Sequence, residues 1–126
     1  MNKRQVFKQV ATHLLSQNKK SEDLDDGNRC LYRSGYLSCA VGCLISDDYY
    51  RETLEDQCAD SIQVKEAIAN SLKTNISAKD VSILRLLQRI HDDEEIEDWD
   101  KCLETLSKDL FNKNLDELGV TAWLIK

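Results

Sequence analysis

Residues 30–50, CLYRSGYLSCAVGCLISDDYY, constrain this chain more than any other stretch. They hold three of the five cysteines, all four tyrosines and two of the four glycines. Tyr32 prefers extended backbone, Ser34-Gly35 supplies a turn, and Tyr36-Leu37 returns, which predicts a small β-hairpin near residues 29–38. Ser38 then caps a short helix carrying Cys39, Ala40, Val41, Gly42, Cys43, Leu44 and Ile45. Its small residues, Ala40 and Gly42, let another backbone approach closely. Ser46 with Asp47-Asp48 starts a further turn, and the rings of Tyr49 and Tyr50 pack partly under the next segment of chain.

Everything outside that stretch reads as helix packed around it. Asn2 and Gln5 form a capping box, and Val6, Phe7, Val10, Ala11, Leu14 and Leu15 make one apolar stripe through residue 17. His13 sits beside the stripe as a boundary residue. Residues 18–28, NKKSEDLDDGN, form a polar loop closed by Gly27, and residues 51–60 carry no clear pattern. Beyond them lies a modest helix over 61–72. Ser77 to Asp80 then opens a strong helix to about residue 92, whose wide apolar face (Val81, Leu84, Leu87, with Ile83, Leu86 and Ile90) marks it as central. Trp99, Cys102, Leu103, Leu106, Leu110 and Phe111 give a last amphipathic helix, and an apolar tail over 115–125 docks on the core or forms a dimer contact. The expectation is a single, mainly α domain over residues 1–126, with five to six helices and one minor hairpin.

A chain of 126 residues buries roughly two-thirds of its unfolded surface and needs no staple to fold. No apolar run approaches the roughly 18 residues of a membrane span. The N-terminal residues lack the apolar core of a signal peptide, which points to the cytoplasm. An odd cysteine count there argues for free thiols, metal ligands or buried apolar residues rather than disulfides. The net charge of −6 disfavours direct nucleic-acid binding, which draws on basic charge. It leaves open a basic protein partner, or imitation of nucleic acid to occupy a protein that binds it. Membrane association is not expected, and the chain is read as a monomer or homodimer.

The joint pattern C-x-Y-R, then C-A-V-G-C-L-I-x-D-x-x-Y, then L-Q-R-I-H-D with a tryptophan seven residues later, is more specific than any of its pieces. It resembles a family of small uncharacterised proteins of bacteriophages and bacteria. The matching residues are Cys30, Tyr32, Arg33, Cys39, Ala40, Val41, Gly42, Leu44, Ile45, Asp47 and Tyr50, then Leu87, Gln88, Ile90, His91, Asp92 and Trp99. The proline usual before the aspartate is here Ser46. The resemblance implies a fold and a phage or prophage context, and no established activity.

Two sets of residues carry candidate chemistry. Tyr32, Arg33 and Tyr36, beside His91 and Asp92, suggest a recognition surface, with Arg33 holding an acid and the tyrosines supplying flat contact area. The structural alternative is an Arg33 that pairs internally with Asp47 or Asp48. The second set, Cys30, Cys39, Cys43 and His91, has elements of a zinc site or a thiol nucleophile. Its spacing is not that of a zinc knuckle, and Asp92, about 100° around the helix from His91, is not expected to orient that ring. Residues 89–92, RIHD, end the central helix in a way that suits hydrogen bonding to the hairpin. The acidic run 92–100 contains seven acids but no calcium-loop spacing. The function expected is a non-enzymatic cytoplasmic binding protein without a cofactor, a phage accessory factor that engages a host protein or sequesters a small ligand. The alternative is a metal- or thiol-dependent enzyme using the cysteine cluster.

Overall fold

The computed structural model describes residues 1–25, 27 and 29–121. Among them are four α-helices: α1 (Lys3–Gln17), α2 (Ile62–Leu72), α3 (Ala78–Asp93) and α4 (Trp99–Phe111). The α1 and α3 starts match the caps expected from sequence, with only the Asn2 half of the α1 capping box formed, and Ser61, which the sequence pattern does not single out, caps α2. Asn2 accepts from Gln5 N–H, Ser61 from Val64 N–H, and Ser77 with Asp80 closes a reciprocal capping box. Without proline to stop them, α1, α2 and α4 end on residues in the left-handed region, Asn18, Lys73 and Asn112. Asparagine tolerates that conformation, and the cap N–H in each case satisfies a late helix carbonyl.

The apolar stripes meet in one core. Phe7, Leu14, Ile68, Leu84, Leu87, Trp99 and Leu103 are among its largest fully buried side chains, with Phe7 edge-on to Phe111 at 5.5 Å. Along α3, Ile83, Leu84, Leu87, Ile90 and His91 are buried, while Leu86 turns outward. The central helix is therefore apolar on a wide face, as its pattern predicts. No helix among the described residues is long and apolar enough to cross a membrane.

Between α1 and α2 the chain departs from expectation. The mainly α class with minor β holds, but the helices number four rather than five to six. Residues 39–45 do not form an α-helix. They make a 3₁₀ turn, Gly42–Leu44, and Glu52–Asp56 and Ile96–Asp98 form two more. Close packing is the reason at Gly42. A Cβ there would lie 2.0 Å from the Tyr32 carbonyl oxygen, so the backbone is pressed against its neighbour instead of continuing a helix. The close approach foreseen for this glycine is real, and Tyr32 is what approaches.

The strands form two pairs rather than one. β1 (Glu22–Asp23) runs antiparallel to β2 (Arg29–Cys30), and β3 (Arg33–Ser34) to β4 (Leu37–Ser38). The expected hairpin is the second pair, turning at Gly35 with φ 63°. The first pair lies partly in the stretch read as loop. Two residues of polar strand leave no alternation to detect. Leu115 and Val120 are buried, and the expected contact of residues 123–125 lies outside the described residues.

Candidate functional site

The last turn of α3 organises the polar interior. His91 is fully buried, and its ring lies 5.6 Å from that of Trp99. Ser21 donates its backbone N–H to His91 Nε2 at 2.9 Å, so that nitrogen must offer its lone pair. The ring proton therefore sits on Nδ1, which donates to Asp92 Oδ1 at 2.8 Å. Asp92 also accepts from Gln88 Nε2 at 2.8 Å, and Gln88 Oε1 in turn accepts from Val41 N–H at 2.9 Å. The Cys30 thiol lies beside the same carboxylate, its Sγ within 4.8 Å of the Asp92 and His91 donor atoms. One short helical motif thus fastens the β1 end, β2 and the 39–44 turn to the core. Asp92 does orient His91, contrary to the angular argument, because neighbouring short side chains at a helix end can bend toward each other.

A second network holds the hairpin. The Glu55 carboxylate accepts from Tyr32 N–H at 2.7 Å, Arg33 N–H at 3.1 Å and the Tyr50 hydroxyl at 2.5 Å. Arg33 donates to Asp47 at 2.6 Å and to the Ile45 carbonyl at 2.7 Å, and its guanidinium lies 4.5 Å from the Tyr50 ring centroid. Internal pairing with Asp47 is therefore the arrangement adopted by Arg33. From α1, Gln17 exchanges two hydrogen bonds with the Ser38 backbone, and His13 Nε2 donates to the Ser38 carbonyl at 2.8 Å. His13 is a boundary residue as read, with a defined partner.

These networks sort the five residues expected at a recognition surface. Tyr36 at the hairpin tip is 106% exposed, whereas Tyr32 is buried and donates its hydroxyl to the Gln57 carbonyl. Tyr32 and Asp92 line a cleft of about 280 Å³ together with Cys30, Cys39, Cys58 and Gln88. Arg33 and Tyr36 line a separate shallow depression of about 310 Å³. His91 lines neither. The five residues belong to one connected region and do not form one surface.

The cysteine set is divided too. Cys39 Sγ accepts from Gly42 N–H at 3.3 Å, and the Cys43 thiol donates to the Ala40 carbonyl at 3.1 Å. Among the described residues, the grouping of potential metal ligands is Cys30, His91 and Asp92, with donor atoms within 4.8 Å of one another. Its elements suit zinc, but its hydrogen bonding does not. A metal-bound histidine donates its second ring N–H to a neighbouring acceptor. Here Nε2 receives an N–H from Ser21, so metal at Nδ1 would displace the ring's proton and leave no N–H to donate. The arrangement is a proton-linked staple.

Thiol chemistry meets the same obstacle. A nucleophile must be a thiolate with a base in reach. Burial, then its bond to the Asp92 carboxylate, pushes the Cys30 thiol up to about 12. Burial raises Cys39 further and Cys43 to about 12. Both ring nitrogens of His91 are engaged, by Ser21 and by Asp92, so the imidazole does not serve Cys30 as a base in this arrangement.

No family model matches the chain, and no curated protein or solved structure matches it. Sequence reasoning missed Ser21, whose backbone N–H fixes the His91 ring, and Glu55 and Gln17, whose side chains bind backbone groups of the hairpin. Glu55 carried no signal, being one acid among 23 acidic residues. Gln88 was visible only as part of the family pattern.

Proposed function

We propose that this chain is a non-enzymatic binding protein of the cytoplasm whose contact surface is centred on the hairpin tip at Tyr36. One observation carries this reading: a fully exposed tyrosine stands on a two-residue turn braced by α1, Glu55 and the Arg33–Asp47 pair. Exposed aromatic side chains on prearranged backbone give binding energy at little cost in ordering. Arg33 borders the contact, and Tyr32, His91 and Asp92 support it from within. The resemblance to phage and bacterial proteins makes a host protein the first partner to test.

Affinity capture from host lysate with the intact chain and its Tyr36→Ala variant tests the proposal. A specific protein retained by the first and lost by the second is the expected outcome. Equal recovery by both would remove the tip from the contact. A second reading, capture of a small ligand, draws on the 280 Å³ cleft beside Asp92. Native mass spectrometry of gently purified protein checks it, through retained mass that Asp92→Asn releases. The metal- or thiol-dependent enzyme is the weaker alternative, since it requires breaking the bonds that fix His91 and Cys30.

A further inference from the structure

A second concavity lies away from the hairpin. It is a groove of about 430 Å³ between α3 and α4. α3 lines it with Leu86, Ile90 and Asp93, and α4 with Cys102, Leu106 and Asp109. Both sets fall at i, i+4 and i+7, so each wall is one straight helical stripe about 10 Å long. The floor is apolar, and Leu86 remains 39% exposed on it. Parallel apolar walls of this kind accept a third helix through anchors at the same spacing.

Charge at one end of the groove selects among such helices. Asp93 and Glu94 line it, and Glu95, Glu97 and Asp98 come directly after in and beside the 3₁₀ turn, so these five acids outnumber the two bases that also line the groove, Arg89 and Lys101. Among the described residues, Glu94, Glu95, Glu97 and Asp98 have no ion-pair partner, and Asp93 meets Arg89 only at 4.0 Å. Glu94 and Asp98 reach the groove electrostatically. Burial, and then the charges of Glu94, Asp98 and Asp100, raise the Cys102 thiol. A complementary occupant places basic side chains at this end and leucine-like side chains over Leu86 and Leu106.

We infer that the α3–α4 groove is a docking site for a basic amphipathic helix of a partner protein. This surface goes beyond the hairpin reading and shares no lining residue with the depression at Tyr36. It assigns a role to the acidic run, which the hairpin does not use.

The test uses the full chain and a synthetic 15-residue leucine–lysine peptide with leucines at i, i+4 and i+7. Calorimetry should give a one-to-one complex, with amide shift changes centred on Leu86, Ile90, Cys102 and Leu106. Leu86→Glu, on a half-exposed position that folding tolerates, should weaken binding at least tenfold. The triple variant E94Q/E95Q/E97Q should weaken it about tenfold and flatten its salt dependence. Tyr36→Ala should bind normally, which separates failure here from failure of the hairpin reading. Equal binding of a scrambled peptide of the same composition would overturn the inference, as non-specific charge attraction. Shift changes on another face would overturn it as well, and so would a dimer of the chain that closes the groove against the peptide.

Discussion

The helical shell and the segment between α1 and α2 bury their residues by different means. α1, α3 and α4 contribute apolar stripes, and their contact is side chain on side chain. The described residues between 18 and 57 have little regular structure and are tied down by side chains that reach backbone groups: His91 to Ser21, Gln88 to Val41, Glu55 to Tyr32 and Arg33, Gln17 to Ser38. In the shell, a substitution costs in proportion to the volume removed. In the segment, it costs because a buried donor or acceptor loses its partner. Conserving shape rescues the first kind of loss but not the second.

His91→Ala gives the largest expected effect, since it opens a cavity beside Trp99, orphans the Ser21 N–H and removes one of the Asp92 carboxylate's donors. A loss of about 4 kcal/mol in urea unfolding is expected. A loss no larger than that of an exposed alanine substitution would break the contrast. Gly42→Ala should come next at about 3 kcal/mol, because the added methyl meets rigid Tyr32 backbone rather than a flexible side chain. Glu55→Ala should cost about 2 kcal/mol by leaving two hairpin N–H groups and the Tyr50 hydroxyl without their acceptor.

Acid sharpens the comparison with a smaller effect. Burial alone would raise the Asp92 carboxyl, but the bonds from His91, Cys30 and Gln88 hold it below the usual carboxylate range. Burial opposes ionisation of Asp80 too, and bonds from Ser77 and Lys3 outweigh it to lower that carboxyl. A depressed folded-state value means that the unfolded chain binds the proton first. The stabilisation is present above the ordinary carboxylate value of about 4 and is lost as pH falls through the lower folded value. The urea midpoint should therefore fall on acidification below about pH 4, and Asp92→Asn should make that fall shallower. Tyr36→Ala is the smallest, expected within about 0.5 kcal/mol of the parent because the side chain is fully exposed.

The same division decides what could be read from sequence. Helix boundaries were legible because caps and periodicity act within a few residues: Asn2 before α1, and Ser77 with Asp80 before α3. The hairpin turn at Gly35 was legible for the same local reason. The β1–β2 pair and the 3₁₀ turn at Gly42–Leu44 were not, because each depends on contact with a residue six to ten positions away, outside the local sequence pattern. Cys30, His91 and Asp92 could be recognised as elements of a site. Their partners could not, since neither the Ser21 N–H that fixes the ring nor the backbone groups held by Glu55 leave any mark in residue type.

A closed structural staple at His91 requires the ring to hold one tautomer, with Nε2 bare toward the Ser21 N–H. Long-range ¹H–¹⁵N correlation spectra at neutral pH distinguish the two nitrogens of each ring. His91 should show a protonated Nδ1 and a bare Nε2, while His13, which donates from Nε2 to the Ser38 carbonyl, provides the opposite reference in the same molecule. A protonated Nε2 on His91, or rapid exchange between the two forms, would contradict the account and return the ring to acid–base or metal chemistry.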